Sequence, residues 1–498
     1  MFCAIDPELW EEVEHNPVKL LKQVPYNRLQ DLGKHGDFFH QYKGVLESFN
    51  SYMNKKEDKD QPKIAYLSME YGFHSSLKIY SGGLGILAGD YLKEASDCNY
   101  QLTGIGLLYR YGYFKQVLTL HGDQVAENMR EEFTELPLYP MLDEKGKNLQ
   151  IQIAFPGRIV SARIWRVPVG RVNLFLLDTD IESNQAHDRL LTSNLYGGDE
   201  EHRLKQEMLL GVGGIRMLEL LGIKADIFHC NEGHAAFIGF ERIKQLMETK
   251  NFTFNESREV IRASTLFTTH TPVPAGHDAF HEDLIRTYMG HYPDRLKIAW
   301  EEFTDLGRKV PGDHNEKFSM SHLAANLSQE INAVSNLHGE VTRSMFANLW
   351  EGYFPEELHI GYVTNGVHYK TWTAKAWQAL YLETFGNDFL NSQSDASYWE
   401  KIHDVADNRI WQIRESQRNI LIEYLKKRLR KNSIRRHEPP GQVLEVIGKL
   451  NAKVLTIGFA RRFATYKRAH LLFKDIDRLA RIINNTDRPV QFLFAGKA

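Results

Sequence analysis

From residue 63 onward, short apolar runs alternate with stretches of helical periodicity, and this alternation constrains the fold more than any other feature of the chain. The runs "KIAYLSM" (63–69), "LTGIGLLY" (102–109), "VNLFLLD" (172–178) and "ADIFHC" (225–230) have the length of strands buried on both faces. After the first, Leu84, Leu87, Ala88, Tyr91, Leu92 and Ala95 recur at the spacing of a buried helical stripe. Strands alternating with helices predict an α/β fold with a largely parallel sheet. Ahead of it, residues 1–60 predict a helical segment that ends in the polar connector "NKKEDKDQP" (54–62). Far downstream, Ile410, Ile413, Ile420, Tyr424 and Leu425 suit a long helix, punctuated by "HEPPG". A second βαβ unit follows: "KVLTIGFA" (453–460), a helix bearing Leu472, Ile476, Leu479, Ala480 and Ile483, and "PVQFLFAG" (489–496). Two strands and one helix cannot bury their own apolar faces. The expected organisation is therefore a helical segment over 1–60, an α/β lobe over 61–445, and the opening of a second Rossmann-like lobe over 446–498.

Four small residues, Ser81, Gly82, Gly83 and Gly85, stand where the helix over 84–97 must begin. Free backbone N–H groups and the positive end of the helix dipole make such a turn an anion site, and glycine lets a ligand approach closely. Phosphate is the natural candidate, although for a lone glycine cluster a tight turn with no ligand is the better explanation. The turn has neither the Lys-Ser/Thr of a Walker loop nor the spacing of a dinucleotide turn. "GVGG" (211–214), inside a helical stretch, reads as close helix packing.

Further polar clusters follow apolar strands, at the strand ends where open α/β sheets place their ligands. "FHCNEGHAAF" (228–237) carries Asn231, Glu232 and His234; its spacing does not match a helical zinc site, and no metal is expected. "LFTTHTPVPAGHDAF" (266–280) ends a strand in His270 and continues through a Pro- and Gly-bearing loop to His277 and Asp278. "VTNGVHYKTW" (363–372) offers a turn at Asn365-Gly366, an amide and Trp372. "GFARRFATYKRAH" (458–470) sets Arg461, Arg462, Lys467 and Arg468 between a strand and a helix, a composition suited to phosphate. Each cluster taken singly also has a structural explanation.

A formal net charge of -3 over 498 residues gives no global attraction to nucleic acid or an anionic membrane. The basic run "KKRLRKNSIRR" (426–436) reads as a solvated helix end. No stretch approaches the roughly 18 apolar residues of a membrane span. Three dispersed cysteines argue against a disulfide framework, and no signal peptide is visible, so the expected compartment is the cytoplasm.

Taken in order, "AYLSMEYGFHSSLKIYSGGLGILAGD", "LYGGDEEHRLKQEMLLG", "NEGH", "THTPVPAGHD", "TNGVHYKTW" and "GFARRFATYKRA" make the chain resemble the α-glucan (glycogen/maltodextrin) phosphorylases, particularly their shorter prokaryotic branch. The resemblance implies a glycosyltransferase B fold of two Rossmann-like lobes, a pyridoxal phosphate cofactor, and a commonly dimeric, allosteric enzyme of glycogen degradation. The implied reaction is reversible phosphorolysis of terminal α-1,4-linked glucose to glucose 1-phosphate, with retention. The substrate phosphate protonates the glycosidic oxygen, assisted by the phosphate of the cofactor. Carried over by motif, Gly82, Gly83, Arg462 and Lys467 resemble the phosphate site, with His270, Arg462 and Lys467 as the catalytic set. Leu84, His270, Asn365 and Tyr466 resemble glucosyl contacts, and Arg461 and Trp372 cofactor contacts. Arg461 stands where many relatives have lysine, and Glu232 replaces an aspartate of the longer-chain branch. The family's Schiff-base lysine is expected beyond Ala498, so the chain reads as a fragment that by itself does not hold the cofactor covalently or turn over.

Two other functions compete. Sugar-nucleotide-dependent glycogen or starch synthases share this fold and a Gly-Gly-Leu-Gly turn, although the later motifs look phosphorylase-like. A non-catalytic glucan-binding lobe would leave apolar surface exposed.

Overall fold

A ten-stranded sheet organises the larger part of the computed structural model, which describes residues 1–56, 60–119, 121–273 and 277–497; the side chains of Arg435 and Tyr466 lie outside that description. Its strands are β1 (Ile64–Leu67), β2 (Leu102–Leu107), β3 (Tyr139–Pro140), β4 (Gln150–Phe155), β5 (Arg158–Val169), β6 (Val172–Asp178), β7 (Ile227–Asn231), β8 (Thr265–Thr268), β9 (Glu330–Ala333) and β10 (Ile360–Tyr362). They lie in the order β10-β9-β8-β7-β1-β2-β6-β5-β3, with β4 also paired to β5. From β10 to β6 every neighbour is parallel, and β5, β4 and β3 add an antiparallel margin. The α/β class expected from the alternation is the class observed. β1 and β6 coincide with the predicted strands to within two residues at each end.

The antiparallel margin is a meander that turns at Gly157 and Gly170, both left-handed (φ +69° and +58°), where an L side chain would be strained. Alternating burial along β4 marks one face packed on the core and one open to solvent.

Among the described residues, five helices precede the sheet: α1 (Phe2–Ile5), α2 (Pro7–Glu12), α3 (Pro17–Gln23), α4 (Tyr26–Lys34) and α5 (Gly36–Met53). Two of them start from Asx-Pro pairs. The Asp6 side chain accepts from Leu9 N at 2.9 Å, and Asn16 Oδ1 accepts from Val18 N and Lys19 N, with proline at the first helical position. Ile5, Val13, Leu20, Val24 and Leu32 form their own small core.

The chain divides into two compact units, Met1–Tyr113 with Asn128–His368, and Phe114–Glu127 with Tyr369–Ala498. After the first sheet, the division between these units falls at His368. The physical reason is a separate aromatic core of Tyr369, Phe385 and Phe389, which gathers the segment after His368 upon itself. In this second unit a long helix spans Asp407–Arg435, and β11 (Leu455–Ala460) pairs in parallel with β12 (Val490–Ala495). As expected for so small a layer, Leu455, Ile457, Ile476 and Phe494 remain exposed. No helix among the described residues is long and apolar enough to cross a membrane.

Helix α6 (Gly83–Asp97) lies on the sheet with Ala88, Leu92 and Ala95 buried. It approaches so closely at Gly89 that a Cβ there would overlap the carbonyl oxygen of Gly72, whereas Gly83 opens onto space. Gly89→Ala is therefore expected to destabilise the fold by about 3 kcal/mol, through displaced backbone, while Gly83→Ala changes stability little. Urea unfolding of the two variants followed by circular dichroism checks this; equal midpoints would contradict it.

Candidate functional site

The segments that follow β1, β7, β8 and β10 all leave from the C-terminal edge of the parallel sheet. Together with α6 they enclose a cavity of about 620 Å³ lined by Tyr66, His229, Asn231, Thr268, His270 and Asn365, among others. Two of the predicted site residues, His270 and Asn365, thus meet in one hollow of the first unit.

The glycine turn is already engaged by the protein. Glu70, buried just beyond β1, accepts from Ser81 N at 2.6 Å and from Gly82 N at 3.2 Å through Oε2, while its Oε1 accepts from the Tyr196 hydroxyl at 2.8 Å. A carboxylate at the positive end of a helix is favoured, and here it ties strand, turn and a distant loop together. Gly82, one of the expected phosphate donors, gives its N–H to Glu70 in this structure. The N–H groups of Gly83, Leu84 and Gly85 have no acceptor among the described residues, as befits the first turn of a helix. Gly83 is exposed and Leu84 half-buried.

His270 is held from two sides. Its Nε2 lies 2.6 Å from Asn231 Oδ1, and Asn231 Nδ2 donates to Ser68 Oγ at 3.1 Å. Ser68 Oγ spends its own hydrogen on Glu70 O, so it accepts from Asn231, and the amide oxygen therefore faces the imidazole. Burial lowers the His270 pKa, against a smaller opposing pull from Glu232, which keeps the ring neutral. This assigns the hydrogen to Nε2 and leaves Nδ1 as an acceptor. Glu232 Oε1 in turn accepts from His270 N at 2.7 Å and from Thr271 Oγ1 at 2.9 Å, with its own backbone at φ +69°. The residue whose role the sequence left open is a clamp on the histidine loop. Pro274 and Gly276 of that loop lie outside the described residues.

His229 donates to, or accepts from, Thr268 Oγ1 at 2.7 Å and sits edge-on to Tyr66; burial pushes its pKa down to about 3. It is a satisfied wall of the cavity. The turn expected at Asn365-Gly366 does not form: the segment after β10 runs on without a turn, and Gly366 is not left-handed. "GVGG" behaves as anticipated, since a Cβ on Gly211 would press on Phe237 and Ile238.

Beneath the turn lies a charged cluster missed by residue-by-residue reading, although its members stand in the quoted motifs. Arg203 lies over the Tyr196 ring, 4.4 Å from its centre, and donates to Asp278 Oδ2 from Nη2 at 2.8 Å. His234 Nε2 is 3.2 Å from the same carboxylate, and Glu207 Oε1 is 3.3 Å from Arg203 Nε. Burial would raise the Asp278 pKa, but His234 and Arg203 hold it far below the usual carboxylate range. Burial, reinforced by the charge of Asp278, pushes Glu207 well above that range. Glu207, His234 and Asp278 have the donor atoms of a cation site, yet the Arg203 guanidinium already supplies the positive charge.

Arg461, Arg462, Lys467 and Trp372 all belong to the second unit. Arg461 and Arg462 follow β11 and are exposed, Lys467 is half-buried in the turn Thr465–Lys467, and Trp372 ends the helix Tyr369–Trp372 with 53% of its surface open. The Tyr466 side chain is outside the described residues.

A family model described as carbohydrate phosphorylase matches residues 216–498, and one described as a protein of unknown function matches residues 1–77. The chain is similar to maltodextrin phosphorylase of Thermococcus litoralis (42% identical over 99% of this chain and 59% of that protein). It is also similar to glycogen phosphorylase of Mycobacterium tuberculosis (40%, over 100% and 60%) and of Aquifex aeolicus (37%, over 100% and 71%). The chain thus spans about three fifths of the length of the first two relatives.

The buried pair of acids predicts a pH signature. Glu207 binds a proton in the folded state that the unfolded chain releases above a pKa of roughly 4.3, so its contribution to stability falls as pH rises beyond that value. Glu207→Gln, which keeps the shape without the titration, is expected to raise the urea midpoint at pH 8 more than at pH 5. A shift that is the same at both pH values would show that Glu207 is ionised in the fold.

Proposed function

Because the chain belongs to the carbohydrate phosphorylase family, we propose that the whole protein is an α-glucan phosphorylase, which converts terminal α-1,4-linked glucose of glycogen or maltodextrin and inorganic phosphate to glucose 1-phosphate with retention. The observation that carries this reading is the set of unclaimed N–H groups of Gly83, Leu84 and Gly85 at the start of α6, a helix whose following turns, at Leu87, Asp90 and Tyr91, line the cavity that holds His270 and Asn365. The inner N–H groups of the turn are satisfied by Glu70, so the turn is rigid before an anion arrives, and the outer ones remain for phosphate oxygens.

In the forward direction the C1–O4 bond of the terminal glucose breaks, a phosphate oxygen bonds to C1, and a proton from the phosphate goes to the leaving O4. Held by α6, the phosphate needs no carboxylic acid pair of the kind that serves a retaining hydrolase. His270 Nδ1 can accept a hydrogen bond from a glucosyl hydroxyl, and the Asn365 amide can both donate and accept. Arg462 and Lys467, both in the second unit, are the proposed cationic partners of the same phosphate, and Tyr466 a further glucosyl contact.

Pyridoxal phosphate is the cofactor that the family resemblance implies, with Arg461 and Trp372 as this chain's contributions. Neither residue carries an orphaned buried polar atom, and both stand open to solvent, so these two residues by themselves form no cradle for it and no step is assigned to the group. The proposed partners are accordingly an α-1,4-glucan and phosphate or glucose 1-phosphate.

Gly83 occupies the first helical position, where proline is tolerated and deletes one N–H. In the whole protein, Gly83→Pro is expected to raise the KM for phosphate about tenfold or more with little change in the KM for maltodextrin, as the loss of one charge-assisted hydrogen bond requires. Initial rates with varied phosphate check this. Unchanged phosphate dependence would remove the turn from the site, and absence of glucose 1-phosphate formation by the unsubstituted whole protein would overturn the reading itself.

A further inference from the structure

The segment that brings Asn365 to the cavity has little packing of its own. From Gly361, inside β10, to Val367 every residue is exposed, Val363 and Val367 at 68 and 69%. Its leading end hangs on the sheet: Val363 N donates to Ala333 O at 2.9 Å, and Asn365 N donates to Val334 O, just past β9, at 3.1 Å. Gly366 follows, where a Cβ would meet nothing within 4 Å, so neither a side chain nor packing confines the backbone there. Burial resumes at His368, which is 8% exposed.

His368 is fastened to α6 twice. Its backbone N–H donates to Oδ2 of the buried Asp90 at 3.1 Å. Its ring Nε2 lies 3.3 Å from Asp97 Oδ2. An ionised carboxylate only accepts, so the hydrogen sits on Nε2 and is directed at Asp97. Asp97 is the last residue of α6, and its Oδ1 accepts from the Tyr52 hydroxyl of α5 at 2.8 Å, which fixes the carboxylate from the other side. Glu94 Oε2, also on α6, stands 4.0 Å from the same ring nitrogen.

We propose that His368 is a positioning residue, which pins the Asn365 loop to α6 so that the glucosyl unit and the phosphate are registered against one rigid helix. This rests on the reading of the protein as an α-glucan phosphorylase. Helix α6 is the ruler. Its first N–H groups, at Gly83 to Gly85, face the proposed phosphate, Leu87, Asp90 and Tyr91 form a wall of the cavity, and Asp90 and Asp97 hold His368. Asp90 follows Gly83 by two helical turns, about 10 Å along the axis. His368 acts through Asn365 and not on the reacting atoms, since its ring nitrogen is directed at Asp97. The phosphate must meet C1 of a sugar held by other residues, and a displacement of about 1 Å at such a contact can cost about a hundredfold in rate. Removing the ring deletes the hold at Asp97 and leaves the N–H bond to Asp90, so the fold persists while the loop gains freedom at Gly366.

A double-mutant cycle in the whole protein, read as initial rates of glucose 1-phosphate formation, tests this. His368→Ala should lower kcat about tenfold or more and leave the KM for phosphate within about twofold, because the N–H groups of Gly83 to Gly85 do not depend on the loop. Added to Asn365→Ala it should cost little further, since the residue it positions is gone. His368→Gln, whose amide can donate to Asp97 in place of Nε2, should restore most of kcat. Amide hydrogen exchange of the 498-residue chain gives a readout besides activity: His368→Ala should speed exchange at the bonded N–H groups of Val363 and Asn365. Additive losses, an unchanged kcat, a Gln variant as slow as the Ala variant, or unchanged exchange each overturn the assignment. An unsubstituted whole protein that forms no glucose 1-phosphate overturns the reading of function instead, and the exchange result still decides whether His368 holds the loop.

Discussion

One buried carboxylate, that of Glu70, holds together the elements on which the rest of the site depends. It sits just past β1, accepts two backbone N–H groups of the glycine turn, and accepts the hydroxyl of Tyr196 from more than a hundred residues downstream. A turn rich in glycine has many conformations to lose, and a fixed acceptor at the helix end selects one of them. The carboxylate also shares the turn: it takes the N–H groups of Ser81 and Gly82 and leaves those of Gly83, Leu84 and Gly85. Where an anion can bind is therefore decided by where the protein has already placed its own.

From Glu70 the polar groups continue inward in a chain. Tyr196 stacks beneath Arg203, Arg203 pairs with Asp278, and His234 and Glu207 complete the cluster. Two acids and one guanidinium in a buried space would carry a net negative charge if both acids ionised. Raising one acid and lowering the other resolves this at low cost, since the neutral acid is tolerated where a second anion is not. On the other side of Glu70, Ser68 and Asn231 transmit a fixed hydrogen-bond polarity to His270. The histidine presents an acceptor to the cavity because its neighbours leave it no alternative.

Much of this was legible in the sequence, and the misses share a cause. Strand and helix periodicity located β1, β6, β7 and α6, and the Asx-Pro pairs of the N-terminal helices have clear capping chemistry. The meander of β4 and β5 carries its signal in Pro156-Gly157 and in Gly170, set between continuous apolar runs that read as buried strands. The Asn365-Gly366 pair suggested a turn that the structure does not make, because turn propensity is a local preference and the strand β10 delivers this segment in extended form. The aromatic core around Phe389 left no local signal, because its members are spread over some thirty residues with no composition change between them.

The sequence by itself determined the α/β class, the glycine turn at the head of α6, the polar groups at strand ends and the motif order of the phosphorylase family, because each is encoded in neighbouring residues. Only the tertiary structure decided which N–H groups of the turn stay open, which ring nitrogen of His270 accepts, and which acid of the Glu207–Asp278 pair keeps its proton. Those outcomes depend on burial and on partners such as Tyr196 and Arg203. These partners are remote along the chain and adjacent in space, and no local pattern records that adjacency.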